Sequence, residues 1–257
     1  FTFTGTAAGT ISDNGQITVA NLVPGTYTST ENNPSPTFAL TNIVCDDGGS
    51  TTPSTGNVGT RTATFNLDAG ETVKCTFTNT LQQAHLTLLK TVTNDNGGTA
   101  LDTDWTLSAS GPTPISGVEG NATITNAAVN QGVYNLSESG GPSGYTASDW
   151  VCAGGTQNDG DTVTLAPGDN ATCTITNNDN TPKLTLNKIL VKDNGGTASE
   201  SDWTIPATGL TTISGAGAAG STDVISDSTF RAGTYVLSES TGPAGYSASG
   251  WTCSNGD

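Results

Sequence analysis

The chain has no methionine, one histidine and only seven lysines and arginines among its 257 residues. Each shortage excludes something. Seven scattered cations against 23 carboxylates leave a net charge of −16, which disfavours binding to nucleic acid and to anionic membrane surfaces. The lone histidine, His85, supports neither a Ser-His-Asp relay nor a metal centre by itself, and reads as a solvated linker residue. No apolar run approaches the ~20 residues of a membrane span, so direct membrane insertion is not expected. No segment carries helical spacing of adequate length, and no phosphate loop follows a strand and opens a helix. An enzyme is the class least expected.

What is abundant is Gly, Thr, Ser, Asn and Asp, and the apolar fraction is only 33%. That fraction alone would suit disorder, but regular alternation and recurring aromatics argue for small β-domains with thin cores. The alternation is repetitive. LTLLKTVTNDNGGTALDTDW (86–105) returns as LTLNKILVKDNGGTASESDW (184–203), and the lysines give the step, 188 − 90 = 98. GVYNLSESGGPSGYTASDWVC (132–152) returns as GTYVLSESTGPAGYSASGWTC (233–253). Units of this size are whole small domains rather than solenoid turns.

The repeat divides the chain into 1–80, lacking its first strand; 86–178, complete; and 184–257, lacking its last strands. The whole reads as a window on a longer repetitive polypeptide. Missing strands donated by neighbouring subunits rank second, since neither end carries a spare strand to give. Strands are expected at 16–22, 26–30, 38–45, 61–67 and 72–78, then at 86–93, 105–108, 121–125, 132–138, 147–152, 162–165 and 171–176. Seven or eight short strands in under a hundred residues describe an all-β chain of tandem, Ig-like β-sandwich domains. Residues 81–85 and 178–182 read as short linkers, the second stiffened by Pro182.

Cysteine spacing points to an oxidising, extracellular setting. Cys45 and Cys75 form one expected pair and Cys152 and Cys173 another, while Cys253 matches Cys152 in register and its partner would fall beyond Asp257. Two further clusters carry possible chemistry. Asp95, Asn96, Asp102 and Asp104 recur as Asp193, Asn194, Glu200 and Asp202, each set around a Gly-Gly turn. Hard oxygen ligands at a glycine turn whose carbonyls face inward suit Ca²⁺, and the i, i+2 carboxylates share one side of a strand. A solvated acidic turn with capping side chains is the plainer alternative. The four tryptophans recur and read as core rather than as a sugar-stacking platform.

The other cluster is Lys90, Glu138 and Asn177. Around it stand Gly132-Val133-Tyr134-Asn135-Leu136-Ser137-Glu138, Gly141-Pro142-Ser143-Gly144-Tyr145 and Thr174-Ile175-Thr176-Asn177. Lys188, Glu239 and Gly242 to Tyr246 match in the third copy; Tyr27, Glu31 and Thr78-Asn79 match in the first. In these residues nearly the whole chain resembles the prealbumin-like B-type domains of bacterial collagen-adhesin stalks and pilin backbones. The resemblance implies an internal isopeptide bond between Lys90 and Asn177 assisted by Glu138: burial favours the neutral, nucleophilic amine, and a protonated carboxyl polarises the amide. A Lys–Glu ion pair at a sheet edge is the plainer alternative. By the same resemblance, Lys188 and Glu239 would need an asparagine beyond Asp257, and Glu31 and Asn79 a lysine before Phe1.

The expectation is thus an extracellular structural protein, a filament or surface stalk that associates with further copies of itself, held by disulfides and by Ca²⁺. The rivals are an adhesin stalk with a separate binding head, and a carbohydrate- or ice-binding repeat, which needs a flat threonine ladder.

Overall fold

The computed structural model describes residues 1–218 and 220–254. The first repeat contributes β1 (Thr2–Gly5), β2 (Gly9–Thr10), β3 (Gly25–Glu31), β4 (Phe38–Asp46), β5 (Thr55–Asn57), β6 (Thr62–Leu67) and β7 (Lys74–Leu81). They form a five-stranded sheet, β2-β1-β3-β6-β5, and a two-stranded one, β4-β7. The second repeat contributes β8 (Ala84–Thr93), β9 (Trp105–Ser110), β10 (Ile115–Val118), β11 (Ala127–Val129), β12 (Gly132–Gly140), β13 (Tyr145–Ala147), β14 (Val151–Ala153), β15 (Thr156–Gln157), β16 (Thr162–Leu165) and β17 (Asn170–Asp179). Its sheets run β10-β9-β12-β16-β15 and β11-β8-β17-β13, with β14 also on β17. In the third repeat β18 (Thr204–Thr208) lies between β19 (Thr212–Ala216) and β20 (Val236–Leu237). The chain is all-β; the pairings of β1 with β3, β9 with β10, β12 with β16, β14 with β17, β18 with β19 and β4 with β7 are antiparallel and lie within one repeat, whereas β8 and β17 run in the same direction, since the His85 N–H donates to the Asp169 carbonyl near their starts and the Asp95 and Asn96 N–H groups donate to Asp179 near their ends.

By compactness the chain divides into two units, and the division runs through the second repeat. One unit holds Phe1–Leu89, Thr106–Ser139 and Trp150–Thr174; the other holds Lys90–Trp105, Gly140–Asp149 and the described residues from Ile175 onward. In the first unit, Leu86 and Leu88, Leu107, Tyr134 and Leu136, and Val163 and Leu165 are buried at every second position of their strands. The first repeat adds a thinner core around Phe3, Ile43 and Ala63, with Phe3 edge-on to Phe77. In the second unit, Leu186, Ile205, Ala207 and Val224 form the core of the third repeat.

Four expectations need correction. Residues 16–22 form no strand, although their alternation suits one; β3, the strand that follows, takes β1 and β6 as its neighbours instead. Residues 121–125 form a turn, because Asn121 Oδ1 accepts both the backbone N–H and the hydroxyl of Thr123. Ile124 is nonetheless fully buried, so the apolar residue was a core signal without being a strand signal. His85 lies within β8, its ring nitrogen 3.2 Å from the carbonyl of Asn126, so the span expected as a linker reduces to Gln82-Gln83. Lastly, the segment that opens the third repeat makes only a single bridge, Thr185 to Ile225, rather than a strand.

Candidate functional site

Both expected disulfides are formed, Cys45–Cys75 and Cys152–Cys173. Each joins residues directly opposite in an antiparallel pair, β4 with β7 and β14 with β17, so each clips neighbouring strands of one sheet. Cys253 is exposed and unbridged.

Lys90 and Asn177 sit on neighbouring strands, β8 and β17, and alternation turns both inward: Lys90 follows Leu86 and Leu88, and Asn177 follows Cys173 and Ile175. They are 4% and 3% exposed. Such burial of a lysine needs compensation, and the Lys90 ammonium lies 4.6 Å from the centre of the Trp105 ring. Trp105 is in turn edge-on to Tyr145, and Gly141 packs so closely that a Cβ there would lie 2.2 Å from Trp105 Nε1. The third repeat duplicates this arrangement, with Lys188 4.9 Å from the Trp203 ring, Trp203 edge-on to Tyr246, and Gly242 beneath the indole. Glu138 is half-buried on β12, in phase with Tyr134 and Leu136.

The flanking repeats show how the three side chains pair. In the first, Asn79 Nδ2 donates to Glu31 Oε1 at 2.7 Å, with Glu31 wholly buried. In the third, Lys188 Nζ donates to Glu239 Oε2 at 2.5 Å. The second repeat carries all three residue types at the matching positions.

The acidic turns are built otherwise than expected. The amides of Asp95, Asn96 and Gly98, rather than carbonyls, face inward, and they donate to the carboxylate of Asp179 at 2.6–3.0 Å. Asp179 is 5% exposed. Burial pushes its carboxyl up, but the N–H groups of Gly98 and Asn96 outweigh that and hold it below the ordinary value. Tyr145 closes the turn, accepting from the amide of Ala100 at 3.0 Å and donating to Asn94 Oδ1; Tyr246 accepts likewise from Ala198 in the third repeat. Asp95 and Asp193 each accept from the neighbouring Asn96 or Asn194 side chain. Asp104 and Asp202 cap one-turn 3₁₀ helices by accepting from the amides of Leu101 and Ser199, and Asp102 and Glu200 begin those turns. Among the described residues no three His, Cys, Asp or Glu side chains are gathered as a metal ion would need. Asp179 was missed because it lies where a linker was expected. The signal was there, since the inward phase Ala171, Cys173, Ile175, Asn177 continues to it.

The first repeat pairs a buried glutamate with an asparagine and the third pairs a glutamate with a lysine, which makes these self-bracing β-repeats. The chain belongs to the prealbumin-like fold domain family, which matches residues 1–81, 82–175 and 179–257. Among solved structures it is similar to the major pilin protein (T-13) from Streptococcus pyogenes, at 15% identity over 64% of this chain and 70% of that one, with a TM-score of 0.27. No curated protein matches this sequence. No helix among the described residues is long and apolar enough to cross a membrane.

Proposed function

We propose that the chain is a structural segment of an extracellular, cell-surface fibre of bacterial type, which assembles with further copies of itself and whose repeats are locked internally by covalent bonds. The observation that carries this reading is that a glutamate pairs with an asparagine in the first repeat, Glu31 with Asn79, and with a lysine in the third, Glu239 with Lys188, at positions where the second repeat has all three residue types. Lys90 Nζ, as the neutral amine, attacks Asn177 Cγ; the Nζ–Cγ amide bond forms, the Cγ–Nδ2 bond breaks, and ammonia leaves. Glu138 takes the proton from the attacking amine and delivers it to the departing nitrogen. The bond joins the first strand of the repeat to its last, so a pull on the chain ends would load a covalent bond instead of a hydrogen-bond ladder. Intact mass tests it: after reduction of its disulfides, the chain should fall short of its sequence mass by about 17 Da for one lost ammonia. Lys90→Arg and Glu138→Gln should restore the full mass, and a full mass in the unaltered chain would remove the crosslink.

Calcium is the second element of the proposal, supported by the net charge of −16 and by the acidic side chains around each turn. Chelator should lower the melting temperature and fray filaments seen by electron microscopy; unchanged melting removes it. The threonine-surface alternative has one observation in its favour. Thr4, Thr30 and Thr62, and beside them Thr28, Thr64 and Thr55, lie in cross-strand rows on the side of the first sheet opposite Ala63. Twist of roughly 20–25° per strand turns each row through about 40–50° over its three strands, so they make no flat ladder.

A further inference from the structure

The turn wrapped around Asp179 has an outer side. With its amides engaged, the carbonyl of Asn96 points away and accepts the backbone N–H of Ala232, in the third repeat, at 2.7 Å. Thr181, between the repeats, donates its hydroxyl to Asn96 Oδ1 at 3.1 Å. Gly97, at φ +94°, lies so close that a Cβ would sit 2.6 Å from the Ala232 carbonyl oxygen. All these residues belong to one compact unit. The corresponding turn of the third repeat shares three features with it, Asn194 on Asp193, Tyr246 on the amide of Ala198 and Gly195 at φ +85°, but a Cβ on Gly195 would meet nothing within 4 Å.

We propose that the Asp-Asn-Gly-Gly turn is an inter-repeat latch: a docking surface that receives the loop entering the Gly-x-Tyr strand of the following repeat, residues 231–233 here, and is held in shape by Asp179. The partner that fits the exposed turn at Asp193-Asn194-Gly195-Gly196 is therefore another repeat of this type, offering a backbone N–H at the position of Ala232. The latch is independent of the proposed crosslink, since neither Lys90 nor Asn177 takes part in it.

Amide hydrogen exchange on the full chain, read by NMR, tests this with a matched pair of substitutions. Gly97→Ala and Gly195→Ala both put a side chain at a positive φ, so both carry the same local strain; only the first collides with Ala232. Ala232 should be protected in the unaltered chain, and Gly97→Ala should speed its exchange at least about tenfold while Gly195→Ala leaves it alone. Asp179→Asn, which removes the charged acceptor without the collision, should speed it too. The amides of Leu88 and Leu136 report whether the second repeat stays folded in each variant. An Ala232 amide that exchanges freely in the unaltered chain, or that responds equally to both glycine substitutions, overturns the latch.

Discussion

Removing the two disulfides separately should cost similar amounts, and chiefly through the unfolded chain. Each bridge joins residues already opposite one another in a ladder, so the folded strands remain paired without it. What is lost is the restriction on the denatured ensemble. Chain-entropy scaling gives about 3.6 kcal/mol for the 30-residue loop of Cys45–Cys75 and about 3.3 kcal/mol for the 21-residue loop of Cys152–Cys173. The second pair loses roughly 1 kcal/mol more on replacement by alanine, because Cys173 is fully buried while Cys45 and Cys75 are half-exposed. At about 4–8 °C per kcal/mol for a repeat of this size, either change lowers the melting temperature of its own repeat by well over 10 °C. The assay is urea unfolding of C45A/C75A and C152A/C173A in a Cys253→Ser background, which keeps the exposed thiol from reshuffling the bridges. The dependence of stability on urea should steepen as well, since the freed chain exposes more surface on unfolding. A stability loss under 1 kcal/mol with an unchanged slope would refute the reasoning, because it would mean that the loops are already restrained in the denatured chain by something else.

Gly141→Ala should destabilise the second repeat by about 3 kcal/mol or more, since its Cβ must displace the Trp105 indole. Gly144→Ala, at nearly the same φ but with open space around it, should cost only about 1 kcal/mol in the same urea titration. Acid stability should depend on Asp179. Its carboxyl titrates below the ordinary 3.8 in the folded chain, so its contribution is fully present above that pH and is lost as the pH falls through the folded value. Asp179→Asn should therefore flatten the stability curve below about pH 4, leaving the slopes due to Asp159 and Asp227, which hydrogen bonds from Asp161 and Thr229 hold low. An unchanged acid limb in the variant would remove Asp179 from that role.

The repeat, both disulfides and most strands were legible because each leaves a mark of period two or of fixed spacing that survives from copy to copy. Residues 16–22 failed because alternation reports what a strand could bury, not which strand it would pair with. The backbone of the acidic turns was illegible for a different reason. Recurrence of Asp95, Asn96, Asp102 and Asp104 in a second copy was equally compatible with a ligand set and with a scaffold, because either is copied when a domain is copied. What separates the two is the direction in which the backbone points, and sequence does not carry it: an Asp-Asn-Gly-Gly turn can present carbonyls to a cation or amides to an anion. Here the amides face inward, and the anion is the chain's own, delivered by the last inward position of β17. An aspartate flanked by asparagines reads as solvent-exposed on polarity alone, yet burial of a carboxylate is compensated wherever several backbone N–H groups converge on it. The same residues then leave one carbonyl, that of Asn96, facing the next repeat, so the backbone of the turn is where the chain grips itself, while the proposed cation would take its acidic side chains.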